Sequence, residues 1–453
     1  MIVMKFGGTS VGSAERIRSL ADRVKERLGR RPVVVVSALA GVTDLLIRGA
    51  QLALERDPGA DDVVRDLQGR HLAVIAELFP RGKNQLIDHV NDVVSELRAF
   101  YSGVRNLGEL TPRSLDAISG MGERLSCEIV AAALLARGID AQAVDARSVV
   151  VTDESFGRAI PLPEETGARV REVLVPLLER GRVPALGGFI GATRRRVATT
   201  LGRGGSDWSA ALIGAHLDAE EIQIWTDVDG IMTVDPRVVP AARVLPAVTY
   251  AEAAELAYFG AKVLHPATIK PAVEKGIPVR ILNSFRPNAP GTVIGPGLDY
   301  PEQDGEPRAL AFKKGITVIL VAQPRMLMAY GFVSRVFEIF DRYRTPVDLI
   351  ATSEVSISLT IDNAESLPAV RDELAALGEV QVMEGMAIVS IVGRGFARRA
   401  GLAARIFQAL RAVNVVMISF GASDVNLSLV VAEPEAERAI RLLHAEFFEG
   451  HRR

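Results

Sequence analysis

The last third of the chain contains an internal repeat, and this repeat constrains the fold more than any other feature. At an offset of 70 residues and without a gap, Gly315 aligns with Gly385 and Arg335 with Arg405. Each copy reads as strand, helix, strand, strand and helix, with small residues at the turn between its second and third strands. Chance similarity between two α/β stretches is the alternative, but the gapless register favours a duplicated small domain.

The first two thirds of the chain alternate apolar, β-branched runs with helix-like segments. The strand-like runs include RPVVVVSAL at 31–39 and IPVRILNS at 277–284, whereas residues 62–104 carry charges with helical spacing. Near-continuous apolar strands separated by helices indicate a largely parallel sheet that is covered on both faces. A Pro- and Gly-rich stretch at 286–307 predicts a linker before the repeat.

Length and composition narrow the class of protein. A chain of 453 residues predicts two or three domains. Lys and Arg (53) balance Asp and Glu (55), so we do not expect a nucleic-acid partner. Cys127 is the only cysteine, which indicates a reducing compartment. The sequence has no apolar run of roughly 18 residues and no signal-peptide pattern at its start, so we expect a cytoplasmic protein without a membrane partner.

The opening stretch MIVMKFGGTSVG has the composition of a phosphate-binding turn between a strand and a helix. Lys5 ends the apolar run, and Gly7 and Gly8 follow it. Glycine lets backbone N–H groups approach an anion, and the start of a helix adds partial positive charge. Because the lysine precedes the glycines, unlike in the GxxxxGK[ST] loop, a plain structural turn stays open as an alternative.

A second glycine-rich stretch, TTLGRGGSDWSAALIGA, carries an arginine among three glycines. The guanidinium of Arg203 can bind a carboxylate or phosphate through two parallel hydrogen bonds. We expect Ser206 to be the N-cap of the following helix and Asp207 to lie in its first turn. Capping alone would explain the serine but not the arginine, so this loop predicts an anion site.

Three other polar stretches have more than one interpretation. The acids that begin with Asp227 do not form a calcium loop, because Gly230 comes too early, so a surface loop or a ribose-binding loop is expected. Glu123 lies near a helix start and can interact with the helix dipole or bind an ammonium group. Lys262 and His265 belong to a small-residue segment in which a packing role is the simpler reading. No histidines pair at the spacing of a zinc site.

Five stretches in this order, KFGGTSVG, SALAGVTDLL, TLGRGGSDWSAALI, IWTDVDGIMTVDPR and FGAKVLHPATIKPA, together resemble the aspartokinases of the amino-acid kinase family. The C-terminal repeat resembles the paired ACT domains of that family, in the organisation of its monofunctional, lysine-sensitive type. The resemblance covers nearly the whole chain. It implies an α/β/α sandwich over 1–295 and two ferredoxin-like βαββαβ domains over 309–383 and 384–453, with strand exchange between them open.

The resemblance also implies a reaction, in which ATP and L-aspartate give ADP and 4-phospho-L-aspartate at the first step toward lysine, methionine and threonine. It implies Mg²⁺ held mainly by ATP oxygens, and no metal site made by the protein. An amino-acid sensor without kinase activity and an acyl-phosphate kinase acting on N-acetylglutamate are alternatives. Lys5, Arg203 and Asp207 argue against the first, and Glu123 together with the ACT pair argues against the second.

By the same resemblance, Lys5 and Asp207 are expected to be catalytic, with Lys5 at the transferring phosphate and Asp207 holding it. The residues expected at the nucleotide are Lys5, Gly7, Gly8, Ser37, Thr226, Asp227, Met232, Arg237, Lys262 and Val263. Those expected at aspartate are Thr43, Glu123, Arg203, Gly204, Gly205 and Ser206. Arg203 would receive the α-carboxylate and Glu123 the α-ammonium. Met232 stands where tyrosine is frequent in the family.

An amino-acid effector, lysine or alternatively threonine, is expected between the first ACT domains of two subunits. The matching positions are Met326, Phe332, Val333, Val347, Asp348, Ser353 and Glu354. Two acids among them would offset the effector ammonium. Ala329 and Pro346 depart from the lysine-sensitive pattern, in which serines are common at both places. The resemblance implies a homodimer through the ACT domains, with a tetramer as the alternative.

Overall fold

The computed structural model of the protein describes residues 1–260, 264, 266–296, 305–323, 331–421 and 423–449. The chain divides into two compact units that interleave along the sequence. The N-terminal unit comprises Met1–Ile231, Pro246–Tyr250 and Val263–Gly297, and the C-terminal unit comprises Met232–Leu245, Ala251–Lys262 and Leu298–Arg453. None of the helices in the described part of the chain is long and apolar enough to cross a membrane.

The helices and strands of residues 1–296 follow the predicted alternation. In chain order they are β1 (Ile2–Phe6), α1 (Gly8–Val11), α2 (Ala14–Lys25), β2 (Pro32–Val36), α3 (Val42–Leu54), α4 (Gly59–Leu78), α5 (Asn84–Leu107), α6 (Pro112–Ser119), α7 (Met121–Ala136), β3 (Ala141–Val144), β4 (Val151–Thr152), α8 (Pro163–Glu179), β5 (Val183–Gly187), β6 (Ile190–Thr193), β7 (Ala198–Thr200), α9 (Gly205–His216), β8 (Glu221–Thr226), β9 (Ala247–Val248), α10 (Tyr250–Tyr258), α11 (Lys270–Glu274), β10 (Val279–Asn283) and β11 (Thr292–Ile294). The helical prediction for 62–104 is confirmed by α4 and α5.

The main sheet of the N-terminal unit has the order β3-β5-β2-β1-β8-β10-β11-β9. Its pairs are parallel except for the antiparallel pair β10–β11, so the prediction of a largely parallel sheet is confirmed. Every residue of β1 and β2 is buried, as expected for strands covered on both faces. Lys5 lies in the centre of this sheet, paired with Val35 on one side and Ile224 on the other.

The C-terminal unit contains the two copies of the repeat. Their elements are β12 (Pro307–Ala322), α12 (Phe332–Arg342), β13 (Ile350–Thr352), β14 (Ser356–Ile361), α13 (Leu367–Ala375), β15 (Glu379–Gly393), α14 (Leu402–Ala409), β16 (Val415–Phe420), β17 (Asn426–Ala432) and α15 (Glu433–His444). The predicted order of strand, helix, strand, strand and helix is confirmed in both copies. The hairpins β13–β14 and β16–β17 are antiparallel.

Two long strands connect the copies within a sheet of order β13-β14-β12-β15-β17-β16. The second part of β12, Thr317–Ala322, pairs with β14, whereas its first part runs beside Ile388–Gly393 of β15. An irregular register between Lys313 and Ile316 separates the two parts. The second copy therefore gains a strand from the first part of β12, which is the strand that begins the first copy.

A segment far upstream also packs into the second copy. Val234 and Val239 belong to the same buried cluster as Leu310, Leu427 and Leu443. Because part of the predicted kinase range 1–295 lies in the C-terminal compact unit, the compact units do not coincide with continuous stretches of sequence. The predicted boundaries 1–295, 309–383 and 384–453 stay predictions of sequence domains.

Candidate active site

The carboxyl ends of β1, β2 and β5 lie side by side at one edge of the main sheet. Phe6 pairs with Val36, and Val36 pairs with Gly187. The backbone continues this registration beyond the strands, since Ser37 N–H donates to the Phe6 carbonyl at 3.0 Å. In open parallel sheets, ligands bind outside this edge, so the residues that follow these strands are candidates for a site.

A cavity of about 300 Å³ opens here. Its lining residues are Lys5, Ser37, Thr43, Glu123, Phe189, Gly202, Gly204, Gly205, Ser206 and Asp207. Eight of them were predicted as site residues, Gly202 was predicted as one of the three glycines of the anion-binding loop, and Phe189 was not predicted. Phe189 has a positive φ of 65° in the β5–β6 connection, a conformation that nothing in the GGFIG stretch beyond its glycines would suggest.

Lys5 and Asp207 form an ion pair at the floor of the cavity. Lys5 Nζ lies 2.6 Å from Asp207 Oδ1, and the two side chains are 11% and 14% exposed. Because both side chains are nearly removed from water, each charge is stabilised mainly by the opposite charge of its partner. The ammonium is thereby held at a fixed place beside the cavity, as expected for a group that binds a phosphoryl oxygen.

Glu123 lies in the first turn of α7 with its carboxylate buried beside the same cavity. Ala38 N–H donates to Glu123 Oε1 at 3.1 Å, whereas Oε2 is buried without a hydrogen-bond partner among the described residues. Burial raises the pKa of Glu123 to about 7, and the Ala38 hydrogen bond and the Lys5 charge oppose this rise. A buried carboxylate oxygen without a partner is costly, which makes it a suitable acceptor for a ligand cation.

The prediction that Ser206 is an N-cap is wrong. Helix α9 begins at Gly205, and its N-cap is Gly204, whose left-handed backbone (φ 71°) starts the helix two residues earlier than expected. Ser206 therefore lies in the first turn. Its hydroxyl accepts a hydrogen bond from Ser37 Oγ at 3.1 Å, which joins the end of β2 to the start of α9 at the cavity.

The Gly7 amide, which is expected to add a donor at the phosphates, has a backbone partner in the structure. Gly7 N–H donates to the Trp225 carbonyl at 3.0 Å, because β1 and β8 continue their pairing by one residue. A Cβ at Gly7 would lie 3.7 Å from Lys5 Nζ, which is an ordinary van der Waals distance. Gly8 begins the short helix α1, and a Cβ there would lie 3.0 Å from the Ala38 carbonyl oxygen.

Arg203 lies in the loop between β7 and α9 and is exposed. It does not line the cavity, although Gly202, Gly204 and Gly205 on either side of it do. No carboxylate forms an ion pair with Arg203 within the described ranges. Gly202 and Gly204 both have positive φ, of 73° and 71°, so two sharp turns present the arginine between them. Its role toward a substrate carboxylate stays a prediction.

The residues predicted at the nucleotide fall in both compact units. Thr226 ends β8 in the N-terminal unit, and its hydroxyl donates to Asp227 Oδ1 at 3.2 Å. Met232 and Arg237 belong to the C-terminal unit, where Arg237 is mostly exposed and pairs with Asp235 at 2.6 Å. Lys262 and Val263 lie outside the described residues.

The residues predicted at the effector lie in the first copy of the repeat, except Met326, which is outside the described residues. Phe332 is buried in the core of this copy, so its ring is not available to a ligand, whereas Val333, Ser353 and Glu354 are exposed. Val347 immediately precedes Asp348 and is half-buried.

Asp348 is buried and already has two partners. Its Oδ1 accepts a hydrogen bond from the Tyr258 hydroxyl at 2.5 Å and lies 3.1 Å from Lys313 Nζ. Its Oδ2 is buried without a partner among the described residues. Burial and the neighbouring Asp348 raise the pKa of Tyr258, which keeps its hydroxyl a donor.

Comparison with known proteins gives matches to two domain families. The model of the amino acid kinase family matches residues 1–283, and an ACT domain model matches residues 389–447. Aspartokinase 2, chloroplastic, from Arabidopsis thaliana is 38% identical over 99% of this chain and 84% of its own length. Lysine-sensitive aspartokinase 3 from Escherichia coli is 37% identical over 99% of both chains. This chain belongs to the aspartokinase family.

Solved aspartokinase structures share the whole fold. E. coli aspartokinase III in complex with aspartate and ADP matches 99% of this chain and 100% of its own, at 36% identity and a TM-score of 0.85. The same enzyme in complex with lysine and aspartate matches 99% of each chain with a TM-score of 0.81. The aspartokinase fold, with an amino acid kinase region followed by a C-terminal ACT pair, is therefore that of this chain.

Proposed function

We propose that this protein transfers the γ-phosphoryl group of ATP to the β-carboxylate of L-aspartate, giving ADP and 4-phospho-L-aspartate. The observation that carries the proposal is one cavity lined by both the Lys5–Asp207 ion pair and the buried Glu123. A fixed ammonium suits a phosphoryl group in transfer, and an unpartnered buried carboxylate oxygen suits a substrate ammonium. The complex of E. coli aspartokinase III with aspartate and ADP supports this pair of ligands.

The reaction needs no strong base in this site, because the β-carboxylate of aspartate is already ionised at neutral pH. Catalysis then depends on alignment of the attacking oxygen and on stabilisation of the charge on the transferring group. Lys5 Nζ supplies positive charge there, and Asp207 holds it in place. Ser37 Oγ donates to Ser206 Oγ at 3.1 Å, which leaves the Ser206 hydroxyl as a further donor to a ligand oxygen.

Recognition of aspartate depends on its two other charged groups. Glu123 binds the α-ammonium, since its Oε2 has no partner among the described residues of the unliganded protein. Arg203 binds the α-carboxylate from the glycine loop, and Thr43, Gly204 and Gly205 line the space between. A substrate without the free ammonium would leave the Glu123 carboxylate buried and unpaired, which costs more than the lost contact alone.

The proposal for the nucleotide follows the family resemblance. ATP would contact Thr226, Asp227, Met232, Arg237, Lys262 and Val263, with Gly7 and Gly8 near its phosphates. The described residues contain no group of three or more His, Cys, Asp or Glu side chains that could hold a metal ion. By the family resemblance we assign Mg²⁺ to the nucleotide phosphate oxygens, where it would shield their negative charge.

We further propose feedback control by an amino acid bound at the first copy of the repeat, with lysine as the effector and threonine as the alternative. The unpartnered Oδ2 of Asp348 supports an ammonium-bearing effector, and the lysine complex of E. coli aspartokinase III supports lysine. Inhibition requires that the effector bind an inactive arrangement better than the active one. A homodimer through the ACT domains, a tetramer as the alternative and a cytoplasmic location belong to the same proposal.

Hydroxylamine trapping of an acyl phosphate tests the function. With ATP, Mg²⁺ and L-aspartate, a hydroxamate should form, and ADP should appear in equal amount. N-acetyl-L-aspartate is the matched control, because it keeps both carboxylates and blocks only the ammonium assigned to Glu123. Product from N-acetylglutamate but not from aspartate would indicate a different acyl-phosphate kinase, and no product from either would indicate a sensor.

A further inference from the structure

Asp116, which the sequence did not single out, lies buried at the base of the Arg203 loop. It belongs to α6 and is 2% exposed. Its Oδ1 accepts a hydrogen bond from Thr200 Oγ1 at 2.6 Å, and its Oδ2 accepts from Thr200 N–H at 3.1 Å. Gly157 N–H donates to both carboxylate oxygens, at 2.9 and 3.0 Å. One carboxylate therefore binds two separate segments of the chain.

These two segments support the glycine loop. Thr200 ends β7 three residues before Arg203, and its carbonyl accepts a hydrogen bond from Ala159 N–H at 2.9 Å. The loops also touch, since a Cβ at Gly202 would lie 3.2 Å from the Gly157 carbonyl oxygen. Asp116 thus fixes both the start of the glycine loop and the surface against which that loop rests.

Arg203 itself has no such support. Its side chain is exposed, and within the described ranges no carboxylate pairs with it. A guanidinium can bind a substrate carboxylate with two hydrogen bonds only when its backbone is held in a narrow range of positions. The support for that position must come from the residues around the loop.

We propose that Asp116 is a positioning residue for substrate binding, which holds the 200–204 loop so that Arg203 is presented to the α-carboxylate of aspartate. The inference rests on the proposed function for the identity of the substrate. It assigns no contact between Asp116 and any ligand. An amide at this place would direct an NH₂ group at one of the three N–H or O–H donors that point at the carboxyl oxygens.

Steady-state kinetics of Asp116→Asn test the proposal. The KM for aspartate should rise about tenfold or more, while kcat and the KM for ATP change less than about threefold. Thr200→Val, which removes only the hydroxyl donor, should give a smaller rise in the KM for aspartate. Thr200→Ser, which keeps the hydroxyl, should leave this KM close to that of the parent protein. Thr200→Val also carries the test if Asp116→Asn does not fold.

Tyr101→Phe is a matched control for the loss of a buried hydrogen bond. Tyr101 is 2% exposed, and its hydroxyl donates to the Leu46 carbonyl at 2.9 Å in the helical layer. This variant should lose stability without a change in the KM for aspartate. A KM that stays unchanged in the Asp116 and Thr200 variants, or that rises equally in Tyr101→Phe, would overturn the proposal.

Hydrogen exchange gives a readout that does not depend on the substrate. In Asp116→Asn the amides of Thr200 and Gly157 should exchange faster in the unliganded protein, whereas Tyr101→Phe should leave both unchanged. If the parent protein does not phosphorylate aspartate, the proposed function fails while this readout still decides whether Asp116 holds the loop. Unchanged exchange at both amides would reject the role of Asp116 whatever the substrate.

Discussion

Lys5 Nζ lies 2.6 Å from Asp207 Oδ1, although the two residues are separated by most of the N-terminal unit in sequence. The pair joins the central strand of the main sheet to the first turn of α9. Because both side chains are nearly buried, the position of the lysine charge is set by the fold and not by solvent. A charge fixed in this way needs no reorganisation when the phosphoryl group passes it.

Removal of the Lys5 charge should therefore reduce turnover more than binding. We expect Lys5→Met to lower kcat by about 10²–10³-fold, the range found when one preorganised donor to a transition state is lost. The KM for aspartate should change little, because Lys5 is assigned to the phosphoryl group. Steady-state kinetics at saturating ATP measure both constants. A normal kcat in this variant would show that Lys5 does not act on the phosphoryl group. The double variant Lys5→Met with Asp207→Asn is the control, because it also removes the carboxylate charge that the single variant leaves unpaired.

Replacement of Arg203 should affect the KM for aspartate more than kcat, which is the opposite of the effect expected for Lys5. Arg203→Ala should raise the KM for aspartate by about 10–100-fold with a smaller effect on kcat, since it removes a charged hydrogen-bonding partner of the α-carboxylate. Arg203→Lys keeps the charge without the planar fork, and it should recover only part of the affinity. Equal KM values for the alanine variant and the parent would show that another residue binds that carboxylate.

The affinity for aspartate should depend on pH near neutrality. Burial raises the pKa of Glu123 to about 7, so in the unliganded protein below this pH the carboxyl is largely neutral and cannot pair with the substrate ammonium. The KM for aspartate should rise as the pH falls from 8 to 6, whereas the KM for ATP should not follow the same curve. In Glu123→Gln the KM should be high at all pH values, and its dependence over this range should disappear.

The free energy of unfolding should also depend on pH through Glu123, and the direction of this dependence follows from its pKa shift. The pKa of Glu123 is raised from 4.5 in an exposed chain to about 7 in the fold, so the folded state holds the proton more tightly. This favourable contribution is complete below pH 4.5, is lost as the pH rises to 7 and is constant above that. Its full size is roughly 3 kcal/mol. Urea unfolding of the parent and of Glu123→Gln at pH 5.5 and 8 measures the difference. The contribution of Glu123 should be absent in the variant, whereas the contribution of the buried His71, whose pKa is lowered by burial, remains in both proteins.

Tyr258 should influence effector inhibition through Asp348. Its hydroxyl donates to Asp348 Oδ1 at 2.5 Å, beside Lys313 Nζ at 3.1 Å. In Tyr258→Phe the carboxylate is freer to turn, so that Lys313 can take both oxygens. The lysine concentration for half-inhibition should then rise several-fold. Tyr343→Phe removes a comparable hydrogen bond to Glu373 in the same copy, and it should leave inhibition unchanged. Equal inhibition in both variants would exclude Asp348 as an effector contact.

The parallel sheet and the repeat could be predicted from the pattern of the residues, whereas most of the cavity lining was predicted from the family resemblance. The apolar β-branched run of β2 predicts a buried strand, and the glycines around Arg203 predict a loop with sharp turns. The cap at Gly204 could not be inferred, because Ser206 is the better capping residue by type and only the turn geometry selects the glycine. The role of Asp116 could not be inferred either, since its partners Thr200 and Gly157 lie in two segments that are distant from it in sequence.

The division of the chain into two interleaved compact units could not be predicted from the sequence either. Val234 and Val239 follow a loop of the N-terminal unit and have no pattern that distinguishes one core from another. Their burial with Leu310 and Leu443 is a property of the assembled C-terminal unit. Apolar residues in a short irregular segment indicate that it is buried, but not where, because the hydrophobic effect has no direction.

The shared strand and the buried upstream segment also determine when this protein can complete its fold on the ribosome. The first part of β12 pairs with β15, and Val234 packs against a cluster that includes Leu443, close to the C-terminal end of the chain. These contacts cannot exist until the partner residues have left the exit tunnel. Residues 232–245 must therefore wait, already synthesised but without their core, until Leu443 has also been synthesised.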